Sequence, residues 1–67
     1  MNAGRILIVE DERTACTGLG RLLSREGYAA ECAYTFREAE RMVASAGYDG
    51  YLIDVRLPDG NGLDLIP

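Results

Sequence analysis

This chain has no histidine and no lysine, and its seven basic residues are all arginine. Without histidine there is no imidazole to serve as base, proton shuttle or metal ligand. That excludes any mechanism built on a Ser-His-Asp triad within these residues. The arginines are scattered and outnumbered, with eleven Asp and Glu giving a formal charge of -4. A net acidic chain with no basic cluster excludes direct nucleic-acid binding by this segment. Cysteine is scarce. Cys16 and Cys32 have neither CxxC spacing nor a secretion signal, so neither a zinc site nor a disulfide is predicted. The reading is two small, reduced, buried apolar side chains. Long hydrophobic runs are missing too. The polar stretch Met1–Arg5 is followed by only four apolar residues, too few for a signal-peptide core or a membrane span. No membrane contact is predicted, and the expected compartment is the cytoplasm.

What is present suffices for one small domain. A chain of 67 residues buries only about 60% of its unfolded surface, so its core is marginal. Hydrophobic residues at 48% and charged residues at 27% are ordinary for a folded chain.

"RILIVE" (Arg5–Glu10) is a continuous apolar run ending in acid, the pattern of a strand buried on both faces of a parallel sheet. From Thr14 the period changes, and Ala15, Leu19, Leu22 and Leu23 form a helical stripe closed by Gly27. Gly18 and Gly20 lie inside that helix. "YAAECAY" (Tyr28–Tyr34) is a weaker strand, its alanines having poor β-propensity. Thr35 and Glu38 then form a capping box. Phe36, Ala39, Met42, Val43 and Ala46 make the next stripe, which Gly47 ends. Arg37 to Arg41 read as a solvated helix face. "YLID" (Tyr51–Asp54) is a third apolar run ending in acid. "VRLPDGNG" reads as loop and turn, and "GLDLIP" as the start of a third helix. Gly60-Asn61-Gly62 lacks the spacing and the lysine of a phosphate-cradling loop. The four tyrosines flank strands and helix ends, where ordinary packing accounts for them.

Strands alternating with helices predict βαβ units, a parallel sheet and an α/β fold. Three carboxylates fall at strand carboxyl ends: Glu10 and Asp11 after the first, Asp54 after the third. Ligands of open parallel sheets bind there, where strand order reverses. If the second strand lies outside the first, the first and third are neighbours about 4.8 Å apart, and the three acids converge. Crowded carboxylates repel, and one pKa must rise without compensation. A hard divalent cation removes the conflict, and Mg²⁺ takes carboxylates, waters and phosphate oxygens. A carboxylate beside such a metal can attack phosphorus. Any one of these acids alone reads as a solvated loop residue or helix cap; three at equivalent strand ends do not.

These residues resemble a known family. "RILIVEDE" and "YLIDVRLPDGNGLDLI" are similar to the receiver domain of two-component response regulators. The resemblance implies a flavodoxin-like doubly wound parallel sheet with strand order 2-1-3. The chain would hold β-α-β-α-β and the start of a third helix, so residues 1–67 read as a partial receiver domain without its second half and with no second domain. By motif, Glu10 and Asp11 match the metal-binding doublet and Asp54 the phosphoacceptor, itself a metal ligand. Arg56 matches the position whose backbone carbonyl binds the metal, and Pro58 and Gly62 match the loop proline and glycine. Gly27 and Asp49 also follow the family's pattern. The implied cofactor is Mg²⁺, the implied partner a sensor histidine kinase, and the chain itself is not an enzyme. DNA binding would belong to an output domain outside these residues.

The departures define an alternative. The doublet is Glu-Asp, where Asp-Asp is commoner in the family. The family's Thr or Ser after a fourth strand and Lys after a fifth have no counterpart here. The competing expectation is therefore a switch-incompetent fragment acting only as a structural or oligomerising module, with self-association through the exposed edge of the third strand. A hydrolase of the haloacid-dehalogenase type also uses a strand-end Asp, but it needs a second Asp where this chain has Arg56.

Overall fold

The structure is a computed structural model that describes residues 3–45, 47–54 and 56–65. Three strands, β1 (Gly4–Val9), β2 (Tyr28–Ala33) and β3 (Gly50–Ile53), form one parallel sheet in the order β2-β1-β3. Helices α1 (Arg13–Arg25) and α2 (Phe36–Ser45) make the crossovers. The predicted α/β architecture and the 2-1-3 order are both observed.

β1 is central because its run is apolar on both sides. Leu7, Ile8 and Val9 are almost completely buried. Leu7 and Val9 pack with Ala33 of β2 and Ala39 of α2, and Met42, Val43, Tyr48 and Ile53 close around them. Gly27 carries φ +92 just past α1, the left-handed conformation a helix-terminating glycine adopts at low cost. The Glu12 side chain caps the other end of α1 by accepting from the Thr14 N–H.

Four features differ from the sequence reading. The buried residue of α1 is Cys16, while Leu19 and Leu22 are 37% and 57% exposed. The inner face runs through Cys16, Gly20 and Leu23, also spaced i, i+4, i+7. Small residues let α1 lie close to the sheet: a Cβ on Gly20 would sit 3.9 Å from the Ala30 Cβ and 4.0 Å from the Ile8 Cδ1. Leu19 is thereby turned toward β3. Second, Cys16 and Cys32 are joined in a disulfide with Cα atoms 6.3 Å apart. The reduced reading rested on spacing along the chain, whereas the crossover sets α1 directly against β2.

Third, the stretch read as loop contains a small antiparallel hairpin, β4 (Arg56–Leu57) and β5 (Gly60–Asn61). Its tip places Asp59 at the start of α2, where the carboxylate accepts from the Phe36 and Arg37 N–H groups at 2.6 and 3.1 Å. These bonds fill helix-end donors and hold the Asp59 pKa down against its desolvation. Thr35 accepts from Glu38 N–H as the capping box requires, but Glu38 reaches the N–H of Tyr34, one residue earlier than that motif specifies. Fourth, Gly62–Leu65 is a 3-10 turn rather than the first turn of an α-helix. Ala46 of the second predicted stripe, Val55 of the predicted edge, and Ile66 and Pro67 of the predicted third helix lie outside the described residues.

Candidate functional site

Strand pairing builds the site. Val9 is in register with Ile53, so the residues that follow, Glu10 and Asp54, leave the sheet side by side. Backbone bonds fix both: Asp54 N–H donates to the Val9 carbonyl at 2.8 Å, and Glu10 N–H to the Ala33 carbonyl at 3.0 Å. Carboxylate oxygens of Glu10, Asp11 and Asp54 all lie within 4.8 Å of one another. Glu10 and Asp54 are half-buried and Asp11 is exposed.

Two local bonds orient the acids. Glu10 Oε1 accepts from the Glu12 N–H at 3.0 Å, folding the loop between β1 and α1 back on itself. Asp54 Oδ1 accepts from the Arg56 N–H at 3.0 Å. Asp54 Oδ2 has no hydrogen bond among the described residues. Arg56, predicted to offer its carbonyl, thus touches the site through its N–H, and its side chain is exposed. Pro58 is exposed in the hairpin turn. Gly62 is buried, and a Cβ there would overlap the Asp54 carbonyl oxygen. It lets the 3-10 turn pass directly against the Asp54 backbone.

The electrostatics are unbalanced. The bond from Glu12 N–H pulls the Glu10 pKa down, but burial, a hydrogen bond with Asp11 and the charges of Asp54 and Asp11 outweigh it, so the net shift is upward. Among the described residues the one ion pair is Arg5–Glu31. The three acids therefore have no arginine neutralising them. Their donor set suits Mg²⁺: hard carboxylate oxygens, close together, partly open to the waters that ion retains. One groove joins this acidic corner to an apolar floor, with Ile8, Val9, Leu19, Leu52 and Ile53 lining it beside Glu10 and Asp54.

Comparison with known proteins shows which family the chain resembles. The family "Response regulator receiver domain" matches residues 6–67. Among curated proteins, the transcriptional regulatory protein PmrA of Pectobacterium parmentieri is 45% identical over 62 residues, covering 92% of this chain and 28% of that protein. The response regulator MprA of Mycolicibacterium vanbaalenii is 41% identical over 61 residues, covering 91% and 26%. The chain thus spans between a quarter and a third of the length of these relatives. Among solved structures, the non-phosphorylated HemR receiver domain of Leptospira biflexa superposes with a TM-score of 0.83 at 43% identity, over 91% of this chain and 49% of that one. The response regulator TrrA of Thermotoga maritima, in complex with Mg²⁺-BeF, gives 0.88 at 34% identity over 97% and 55%.

Proposed function

This chain belongs to the response regulator receiver domain family, and we propose that Asp54 is its phosphoryl acceptor, charged by a sensor histidine kinase in a Mg²⁺-dependent two-component relay. The observation that carries this is the convergence of Glu10, Asp11 and Asp54 within 4.8 Å at the ends of adjacent strands. Oδ1 of Asp54 is engaged by the Arg56 N–H, so Oδ2 is the attacking oxygen. It forms the new bond to phosphorus while the bond from phosphorus to the donor breaks, and the donor keeps that electron pair. Glu10 and Asp11, with Asp54 and the Arg56 carbonyl, would hold the ion; bound Mg²⁺ supplies charge neutralisation for carboxylates and incoming phosphate oxygens. The relative crystallised with Mg²⁺-BeF supports that chemistry by analogy. The chain is a substrate of phosphoryl transfer rather than an enzyme, and it acts in the cytoplasm. Any contact with DNA belongs to an output domain outside these residues.

The test is incubation with a small acyl-phosphate donor and Mg²⁺, reading hydroxylamine-labile phosphate by mass. Incorporation is expected in the chain and absent from Asp54→Ala. Equal labelling of the two overturns the assignment. No labelling of a chain that still binds Mg²⁺ favours the fragment reading, a structural or oligomerising module.

A second reading rests on β3. It is an edge strand among the described residues, and Tyr51 and Leu52 are 45% and 42% exposed on its two faces. Such an edge recruits another strand, so the chain self-associates through it. Sedimentation is expected to show mass rising with concentration; a monomer throughout contradicts the reading.

A further inference from the structure

The phosphoryl transfer proposed above assigns no role to the disulfide between Cys16 and Cys32. Cys16 is fully buried on the inner face of α1, and Cys32 is half-buried on β2, the outer strand. The bond sits just below the acidic corner. Cys32 is in register with Ile8, two residues before Glu10. Ala33, next to Cys32, accepts the Glu10 N–H. Cys16 N–H donates to the carbonyl of Glu12, the residue that caps α1. A fastening at this point holds the helix, the outer strand and the loop 10–12 together.

The same geometry accommodates the reduced pair. Cys16 Sγ lies 3.8 Å from the Ile8 carbonyl oxygen, so the buried thiol has an acceptor at hand and no polar hydrogen is stranded. With Cα atoms 6.3 Å apart the two sulfurs meet without the helix leaving the sheet. Both oxidation states therefore fit one backbone.

We propose that Cys16 and Cys32 form a reversible thiol–disulfide pair, oxidised by small disulfides of the glutathione class, that fastens α1 to β2 and steadies the acidic loop. Cys32, the more accessible of the two, reacts first. Its thiolate attacks one sulfur of oxidised glutathione, the glutathione S–S bond breaks, and one glutathione thiolate leaves. The Cys16 thiolate then attacks the Cys32 sulfur of the mixed disulfide and expels the second glutathione thiolate. Two protein thiols become one disulfide, one glutathione disulfide becomes two thiols, and the two protons pass from the cysteines to glutathione.

The test equilibrates the chain, without Mg²⁺ or phosphodonor, across mixtures of oxidised and reduced glutathione, followed by alkylation, mass analysis and amide hydrogen exchange. Both cysteines are expected to lose alkylation together at a single midpoint with no retained glutathione. Amides of α1 that exchange through global opening slow about a hundredfold on oxidation, the scale for closing a loop of this length. Cys32→Ser, at the half-buried position, is expected to exchange at one rate in every mixture, and Cys16→Ala serves as the second control. A glutathione adduct retained on Cys32 beside a free Cys16 overturns the proposal. Equal exchange in the two states of the unsubstituted chain does so as well. None of these readouts involves Asp54, so the phosphoacceptor reading stands or falls separately.

Discussion

Glu31 on β2 and Glu10 at the end of β1 are half-buried glutamates of one small sheet, and their surroundings have opposite sign. Glu31 accepts from the Arg5 guanidinium at 2.6 Å and the Tyr48 hydroxyl at 2.9 Å. Those two bonds, the Arg5 bond foremost, hold its pKa down. Arg5 also lies 4.9 Å from the centre of the Tyr48 ring, and its own N–H reaches Asp49 Oδ2 at 2.8 Å. Every acid in this region has a donor. At the carboxyl ends, Glu10 faces Asp11 and Asp54, its pKa is raised, and no arginine comes to meet it. The arginine of β1 stands near its amino end, away from the acids that follow the strand. Glu31 thus has an arginine beside it, whereas Glu10, Asp11 and Asp54 stand together with none, the contrast on which the proposed cation site rests.

Magnesium should move this contrast most. Addition at a hundredfold its dissociation constant is expected to raise unfolding free energy by about 2.7 kcal/mol, because the folded state alone assembles the three oxygens. Urea denaturation measures it. Glu10→Gln combined with Asp11→Asn should remove the increment, and an undiminished Mg²⁺ effect in that variant would place the ion elsewhere.

A smaller effect comes from undoing the balance at the other region. Glu31→Ala removes the acceptor shared by Arg5 and Tyr48. Both ion-pair side chains are about 40% exposed (42% and 40%), so solvent screens the pair, and the expected loss is about 1 kcal/mol. Tyr48→Phe, which deletes only the hydroxyl donor, should lose less. Equal losses would make the Arg5 contact energetically silent.

The acidic corner was legible in the sequence because two short apolar runs each ended in acid, and parallel pairing places equivalent strand ends together. The strand order came instead from the resemblance to the receiver family, since the apolar runs alone left open which strand lies outside the first. The orientation of α1 was not legible from its leucines. Ala15, Leu19, Leu22 and Leu23 are the larger apolar group on average, yet contact with the sheet selects the smaller set Cys16, Gly20 and Leu23, which permits close approach. The signal existed in the i, i+4, i+7 spacing of that set, and size rather than hydrophobicity decided between the two. Asp59 was missed because its partners, the N–H groups of Phe36 and Arg37, lie 23 and 22 residues earlier in the chain. No local pattern reports a cap supplied from such a distance. The disulfide was missed for the same reason: spacing along the chain does not show which helix residue faces which strand residue.

The smallest expected effect separates the two glutamates by the sign of their pH dependence. Glu31 titrates below its ordinary value of 4.5 in the folded chain. Its contribution is therefore complete above that pH and is lost as pH falls through the depressed folded value. Glu10 titrates above 4.5. What it contributes is present below that pH and is lost as pH rises through the elevated folded value, where the charges of Asp54 and Asp11 oppose its ionisation. Glu10→Gln without Mg²⁺ should then gain about 0.5 kcal/mol at neutral pH, the scale of one relieved like-charge contact near a surface, and should gain nothing in acid. Glu31→Gln should do the reverse, costing stability at neutral pH and converging on the parent in acid. Denaturation profiles of the parent and both variants, taken from acid to neutral pH, measure this directly. Two difference curves of the same sign would mean that the carboxyl-end acids are balanced after all, and the case for an external cation would lose its electrostatic basis.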